Sequence, residues 1–256
     1  MSGLDPTGGA GIQADIEAIA SMGCHAAPLV TALTVQDTRG AQACYAVDAL
    51  QFIEQARHLL ADLDMAACKI GLLPDTALVE AVAGILADHP NVPVILDPVL
   101  ASGRGDSLVD DEVPDAIRAL LLPRTTVATP NTAEAFVLAR HADTPEAAAH
   151  EMMDLGAEYV LITGGDMAGT RIANRLFGHR REIDTFHWER LPHGYHGSGC
   201  TLAGAIAGLA AHGRELTSAI HHAQEYTWQA LRHGYRIGHG QHVPNRLFWA
   251  AHGRAE

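Results

Sequence analysis

Short apolar runs alternate with longer amphipathic ones along most of this chain. Apolar positions recurring every three to four residues predict helices over residues 12–22, 49–63, 75–87 and 113–121, with Gly23 stopping the first. The same spacing predicts helices over 132–139 and 145–155. Between them lie runs rich in Val, Ile and Leu at 27–35, 66–71, 92–97, 126–129 and 159–163, which read as strands. Strands this apolar, spaced by helices of ten to fifteen residues, need cover on both faces. The predicted fold is a three-layer α/β/α domain with a mostly parallel central sheet. Residues 171–188 alternate and are more polar, which suits an antiparallel hairpin or edge. No linker, low-complexity tract or repeat divides the sequence, so residues 1–256 are expected to form one domain.

In such sheets ligands bind beyond the carboxyl ends of the parallel strands. That rule selects Gln36 and Asp37, Gly71 and Leu72, Asp97, Thr129 to Asn131, and Thr163 to Gly165. These strand ends are polar or glycine-rich while the strands are not, so a cleft along one rim is expected.

Composition narrows the partners. Thirty acidic residues against seventeen basic ones leave a net charge of −13, and the only lysine is Lys69. Binding to nucleic acid or to an anionic membrane needs clustered Lys and Arg, so neither is expected. The longest apolar run, after Thr201, is too short and too rich in Gly and Ala to cross a bilayer. No basic, apolar secretory leader opens the sequence, and a soluble cytoplasmic protein is expected. The four cysteines form no C-x-x-C pair and read as reduced thiols. None of the sixteen histidines falls into zinc-site spacing.

The richest motif is His196-Gly-Ser-Gly-Cys-Thr201, running into the apolar segment 202–211. The first N–H groups of a helix lack internal partners, and the helix dipole adds positive charge there. The turn formed by Gly197, Ser198, Gly199 and Cys200 is therefore a seat for a phosphate. Within that field the Cys200 thiol is expected to ionise more easily than a free cysteine. Against this stands simple packing, since free Cys is among the most buried residue types. A second glycine-rich loop, Gly3-Leu-Asp5-Pro-Thr-Gly-Gly-Ala-Gly11, permits close backbone approach by a ligand or merely starts a helix. It is neither a Walker A nor a dinucleotide fingerprint. Asn131 and Glu134 stand three residues apart at another helix start. Their oxygens suit Mg²⁺, with Asp97 able to complete a cation site. They also fit an Asn version of the capping box, and both readings can hold together.

Taken in order, these pieces resemble hydroxymethylpyrimidine/phosphomethylpyrimidine kinases of the ribokinase-like superfamily. The match runs through residues 3–15, Thr31 to Gln36, Lys69-Ile-Gly71, Asp97-Pro-Val99, Thr129-Pro-Asn131 to Ala135, Gly164-Gly165 and His196 to Thr201. The resemblance implies a ribokinase-like fold, ATP and Mg²⁺ as cofactors, and phosphorylation of a pyrimidine alcohol and then of its monophosphate. It assigns proton acceptance to Cys200 and the phosphoryl cradle to the N–H groups of Gly197, Ser198, Gly199 and Cys200. Asp5, Gly11, Gln36 and Leu72 fall to the substrate; Asn131, Glu134 and Asp97 to the cation and phosphates; Thr163, Gly164 and Gly165 to the nucleotide. A homodimer is implied as well. A pyridoxine or pyridoxal kinase, or a pyrimidine sensor without catalysis, would use the same site.

Four positions depart from the family pattern. Asp37 stands where Asn is usual, Leu72 for Met, Thr163 for Lys, and Asn174 for an acid. Only Met1 and Ser2 precede Gly3, so the family's first strand is expected to be missing or truncated.

Overall fold

The strands carry the architecture, and their alternating side chains divide it into layers. A computed structural model describes residues 1–101, 105 and 107–253. Its strands are β1 (Ser2–Leu4), β2 (Val30–Asp37), β3 (Gly40–Ala46), β4 (Cys68–Ile70), β5 (Val94–Leu96), β6 (Val127–Ala128), β7 (Tyr159–Ile162), β8 (Arg171–Gly178) and β9 (Arg181–Glu189). Strands β4 to β9 pair in sequence order, the first four of them parallel and the last two antiparallel. A smaller sheet has the order β1-β2-β3, with β1 parallel and β3 antiparallel to β2. Met1 joins the two sheets: its nitrogen donates to Lys69 O at 2.9 Å and its carbonyl accepts from Gly71 N at 2.9 Å.

The helices are α1 (Gly11–Ser21), α2 (Ala49–Leu60), α3 (Thr76–Ala87), α4 (Val113–Ala116), α5 (Thr132–Leu138), α6 (Pro145–Asp154), α7 (Ser198–Ala211) and α8 (Leu216–Arg232). Because side chains alternate along a strand, each short strand feeds two cores. Val94, Leu96, Ala128, Val160 and Ile162 pack under α2, α3 and α6. Ile95, Val127, Tyr159 and Leu161 face the other way, onto α7 and α8. The apolar strand runs in the sequence reflect this double burial. Helix α7 is almost wholly buried, and its Gly and Ala residues let it lie close against α1, with Gly204 beside Ala18. Asp48, Asp75 and Thr144 cap α2, α3 and α6 through the backbone N–H three residues on, each worth about 1 kcal/mol.

Four elements differ from the sequence reading. The first strand, expected to be missing or truncated, is present but only three residues long, and lies on Gly3 itself rather than before it. Strand β3 was not expected; its burial is only partial, so it lacks the apolar signature of the others. Helix α8 was not expected either; polar residues dominate it, with His221, His222 and Glu225 exposed and Gln224 buried. The helix expected over 113–121 keeps a single α turn before widening into a π turn at Ile117–Leu121.

Candidate active site

Two glycine loops meet at the rim of the sheet, and one carboxylate organises the first. Asp5 is 5% exposed, and its oxygens accept from Thr7 N and Thr7 Oγ1, both at 2.8 Å, and from Ala10 N at 2.9 Å. His196 Nε2, from the second loop, donates to Asp5 Oδ2 at 2.8 Å. Burial alone would raise the pKa of Asp5, but the hydrogen bonds from His196 and Thr7 prevail and hold it down to about 2. Asp5 lines the cavity as expected, and three of its four hydrogen bonds fall on Oδ2, tying the two loops together.

The second loop enters α7 through Gly197, whose φ of +85° is left-handed. A Cβ there would lie 1.9 Å from Gly9 O, so the loops touch backbone to backbone and only glycine fits. Arg246, 2% exposed, clamps the junction from behind. It donates to Thr201 Oγ1 at 2.9 Å, to Gly8 O at 3.3 Å, to Glu17 at 3.0 Å and to Gly9 O. The N–H groups of Ser198, Gly199 and Cys200 form the first turn of α7, where no carbonyl of that helix can reach them.

Beneath that turn is a buried cluster of charge. Lys69 lies 2.8 Å from Asp15 Oδ1 and 3.7 Å from Asp97 Oδ2, all three side chains under 8% exposed. Burial disfavours the ammonium, yet Asp15, Cys200 and Asp97 together raise the Lys69 pKa. Cys200 opens α7 beside this cluster, buried, with Lys69, Asp97 and Asp15 all acting on its thiol. Its thiol does not behave as the sequence suggested: burial, with Asp97 and Asp15 adding to it, pushes the pKa up to about 12 despite Lys69. The helix field is outweighed by loss of solvent and by two carboxylates.

The cation candidates stand across the cavity. Asn131 and Glu134 form the capping box, with Asn131 Oδ1 accepting from Glu134 N at 2.9 Å and Glu134 Oε2 accepting from Asn131 N at 3.0 Å. Burial and the nearby Asp97 push Glu134 up to about 8. Asp97 is raised too, by burial above all, and its Oδ2 is buried without a hydrogen-bond partner. Asp97, with its orphaned oxygen, and Glu134 supply hard oxygen donors of the kind that suits a divalent cation.

A cavity of about 500 Å³ gathers nearly all of these groups. Asp5, Gly11, Gln36, Leu72, Asp97, Asn131, Glu134, Thr163, Gly165 and Gly197 to Cys200 line one continuous wall. Gly164 does not. It is buried, its N–H donates to Asn174 Oδ1 at 3.0 Å, and a Cβ would strike Ala173 O at 2.4 Å. Its role is to let the loop pass β8. Asn174, expected where an acid is usual, ties that loop to α8 through Gln224 at 2.9 Å. Asp37 caps the β2–β3 turn, accepting from Arg39 N at 2.7 Å. The sequence reading gave no role to Lys69, Asp15, His196 or Arg246. A charged residue inside the apolar Cys68-Lys-Ile strand was the available signal for Lys69; Arg246 offered none.

The sequence profile of phosphomethylpyrimidine kinase matches residues 5–245. This chain belongs to the phosphomethylpyrimidine kinase family. It is 38% identical over 247 residues to the hydroxymethylpyrimidine/phosphomethylpyrimidine kinase of Synechococcus elongatus, covering 94% of this chain and 93% of that one. The enzyme of the same description from Streptomyces coelicolor is 35% identical over 249 residues, covering 94% and 90%. Among solved structures, a Bacillus subtilis pyridoxal kinase in complex with ADP superposes with a TM-score of 0.89 at 26% identity, over 98% of this chain and 97% of that one. A Clostridium difficile phosphomethylpyrimidine kinase gives 0.76 at 27% identity, over 90% and 96%. Members of this family are ribokinase-like kinases, and that fold is the one seen here.

Proposed function

We propose that this protein transfers the terminal phosphoryl group of ATP to the hydroxymethyl oxygen of 4-amino-5-hydroxymethyl-2-methylpyrimidine, and to the phosphate of the product, in thiamine biosynthesis. The observation that carries the reading is the shared cavity, in which a helix N-terminus, Cys200 and the Asp97–Glu134 carboxylates face one another. Gln36 and Leu72 receive the ring, polar edge to amide and face to side chain. The N–H groups of Gly197 to Cys200 hold the phosphoryl oxygens as charge moves onto the leaving ADP.

Proton transfer follows from the thiol's high pKa. The hydroxymethyl oxygen bonds to the terminal phosphorus as the bond from that phosphorus to the bridging oxygen breaks. Its proton passes to Cys200 Sγ, whose own S–H proton has first gone to solvent, so the thiolate of a high-pKa thiol is the base and Asp97 keeps its charge for the cation. Asp97, Asn131 and Glu134 would hold Mg²⁺, which when bound neutralises charge on the ATP phosphates.

The B. subtilis likeness favours a second reading on the same site, a pyridoxal kinase. A homodimer is supported by the exposed apolar side chains of the small sheet, Leu4, Leu33, Val35 and Tyr45. A cytoplasmic location is part of the same proposal; among the described residues no helix is long and apolar enough to cross a membrane.

The deciding experiment is ATP consumption with Mg²⁺ and, in parallel, hydroxymethylpyrimidine, its monophosphate and pyridoxine. Turnover with both pyrimidines is expected. Turnover with pyridoxine alone would move the protein to the pyridoxal branch; binding of the pyrimidine without turnover would make it a sensor.

A further inference from the structure

We infer that His196, held by Asp5, fixes the direction of the Gln36 carboxamide and thereby makes the site select a 4-aminopyrimidine over its 4-oxo counterpart. The inference rests on the reading that Gln36 meets the pyrimidine edge, and deepens it to the hydrogen-bond pattern of the ring.

The first step is the tautomer of His196. Asp5 Oδ2 already accepts from Thr7 Oγ1 and Ala10 N, as expected of an ionised carboxylate. A ring nitrogen 2.8 Å from that oxygen must donate to it, so His196 Nε2 carries a hydrogen whether the imidazole is neutral or charged. The same Nε2 lies 3.0 Å from the end of the Gln36 side chain, at the position of the amide nitrogen. Two donors would then face each other. A half-turn of the carboxamide, which changes its shape hardly at all, puts Oε1 there and satisfies both groups. One N–H is then shared between the Asp5 carboxylate and the Gln36 carbonyl.

The imidazole cannot easily turn away to release this arrangement. Its backbone N–H donates to His242 O at 2.9 Å, and the first loop closes against its edge. At Gly9 a Cβ would lie 2.6 Å from His196 Cδ2, so the loop sits on the ring only because that Cβ is absent. The Asp5 side chain is 4% exposed and that of His196 22%, which leaves little water to rescue a misplaced donor.

With Oε1 against His196, Gln36 shows the cavity a carbonyl lone pair beside an NH₂ group. A 4-aminopyrimidine edge is complementary: its amino group donates to Oε1 and its ring nitrogen accepts from Nε2. A 4-oxopyrimidine presents the reverse, a carbonyl and a ring N–H. An unrestrained glutamine would flip to suit either ring; a locked one rejects the second. His196 is thus a positioning residue acting through Gln36.

The test compares kcat/KM for the 4-amino substrate and its 4-oxo analogue in wild type, His196→Leu and His196→Gln. Wild type should prefer the amino ring by on the order of 10³-fold, as sites built around substrate hydrogen bonds do. His196→Leu should drop that ratio to about tenfold or less, because the freed amide can turn. In His196→Gln an NH₂ group can still donate to both Asp5 and Gln36, and most of the preference should return. A wild-type ratio surviving in His196→Leu overturns the inference. Should the leucine variant fail to fold, nitrogen NMR of the wild-type protein decides the hydrogen-bond step: a hydrogen on His196 Nε2 supports it, and a bare Nε2 overturns it. Wild type that binds neither ring overturns the substrate reading and the specificity claim together, while the NMR result still judges the lock.

Discussion

The two ends of the cavity are built on opposite terms. Where the glycine loops meet, the polar side chains are spoken for: Asp5 accepts four hydrogen bonds, and Arg246 gives its N–H groups to three oxygens of the loops and to Glu17. Under the α7 turn they are not. Lys69 and Asp15 form an ion pair at 2.8 Å, but Asp97 Oδ2 stands 3.7 Å from the lysine and is buried without a hydrogen bond. Saturated groups hold shape; unsaturated ones hold electrostatic potential that a ligand can use. The first region is a frame and the second is a site. A buried carboxylate oxygen without a hydrogen bond is costly, and its place beside the α7 turn supports the proposed seat for phosphates and a cation.

Removing Lys69 from the charged region should have the largest effect. Lys69→Met leaves Asp15 and Asp97 buried without a counter-charge, and breaking a buried pair in this way costs about 3–5 kcal/mol. Urea unfolding should show that loss. Adding Asp15→Asn removes the orphaned charge along with its partner and should recover most of the stability, since an apolar or neutral replacement of a whole pair is often harmless. A double variant as unstable as the single one would mean that Asp97, not Asp15, depends on the lysine.

Next in size is the loss of Cys200, which separates chemistry from packing. Cys200→Ala should lower kcat by roughly 10²-fold or more by removing the proton acceptor, while the melting temperature changes little. Full turnover in this variant would hand proton transfer to Asp97 and leave the N–H cradle of α7 intact.

The sequence made the frame's outline readable and left its fastenings hidden. The apolar runs of β4 to β7 and the capping residues Asn131 and Glu134 follow from local rules, and the structure places them where those rules said. The carboxyl-end rule assembled Gln36, Leu72, Asp97 and Asn131 on one wall before any coordinates. What could not be read were contacts between residues far apart in the chain. Asp5 meets His196 across 191 positions, and Arg246 reaches Gly9 across 237. The ionisation of Cys200 failed for the same reason: its local helix field is visible in sequence, but the burial and the two carboxylates that outweigh it are not. Gly164, assigned to the nucleotide by resemblance, lies outside the cavity wall, and its close passage of β8 is another contact that local sequence does not show.

The smallest expected effect tests whether the two regions really differ in kind, through their response to acid. Asp5 has a folded-state pKa of about 2 against 3.8 for the free group, so its hydrogen bonds add stability that is complete above about pH 4 and disappears as pH falls toward 2. That difference corresponds to about 2 kcal/mol. Asp5→Asn should therefore be about 2 kcal/mol less stable than wild type at pH 6, with the gap narrowing only in strong acid. Asp97 is shifted the opposite way, taking up its proton at higher pH than an ordinary carboxylate. Protonated, it no longer needs Lys69, so the penalty of Lys69→Met should begin to shrink at a higher pH than the penalty of Asp5→Asn. Urea stability of both variants across about pH 2 to 7 would show two separate transitions if one region is saturated and the other is not. A single shared transition would mean that the frame and the site titrate as one network, and that Asp5 senses the charge under α7 through the loops that join them.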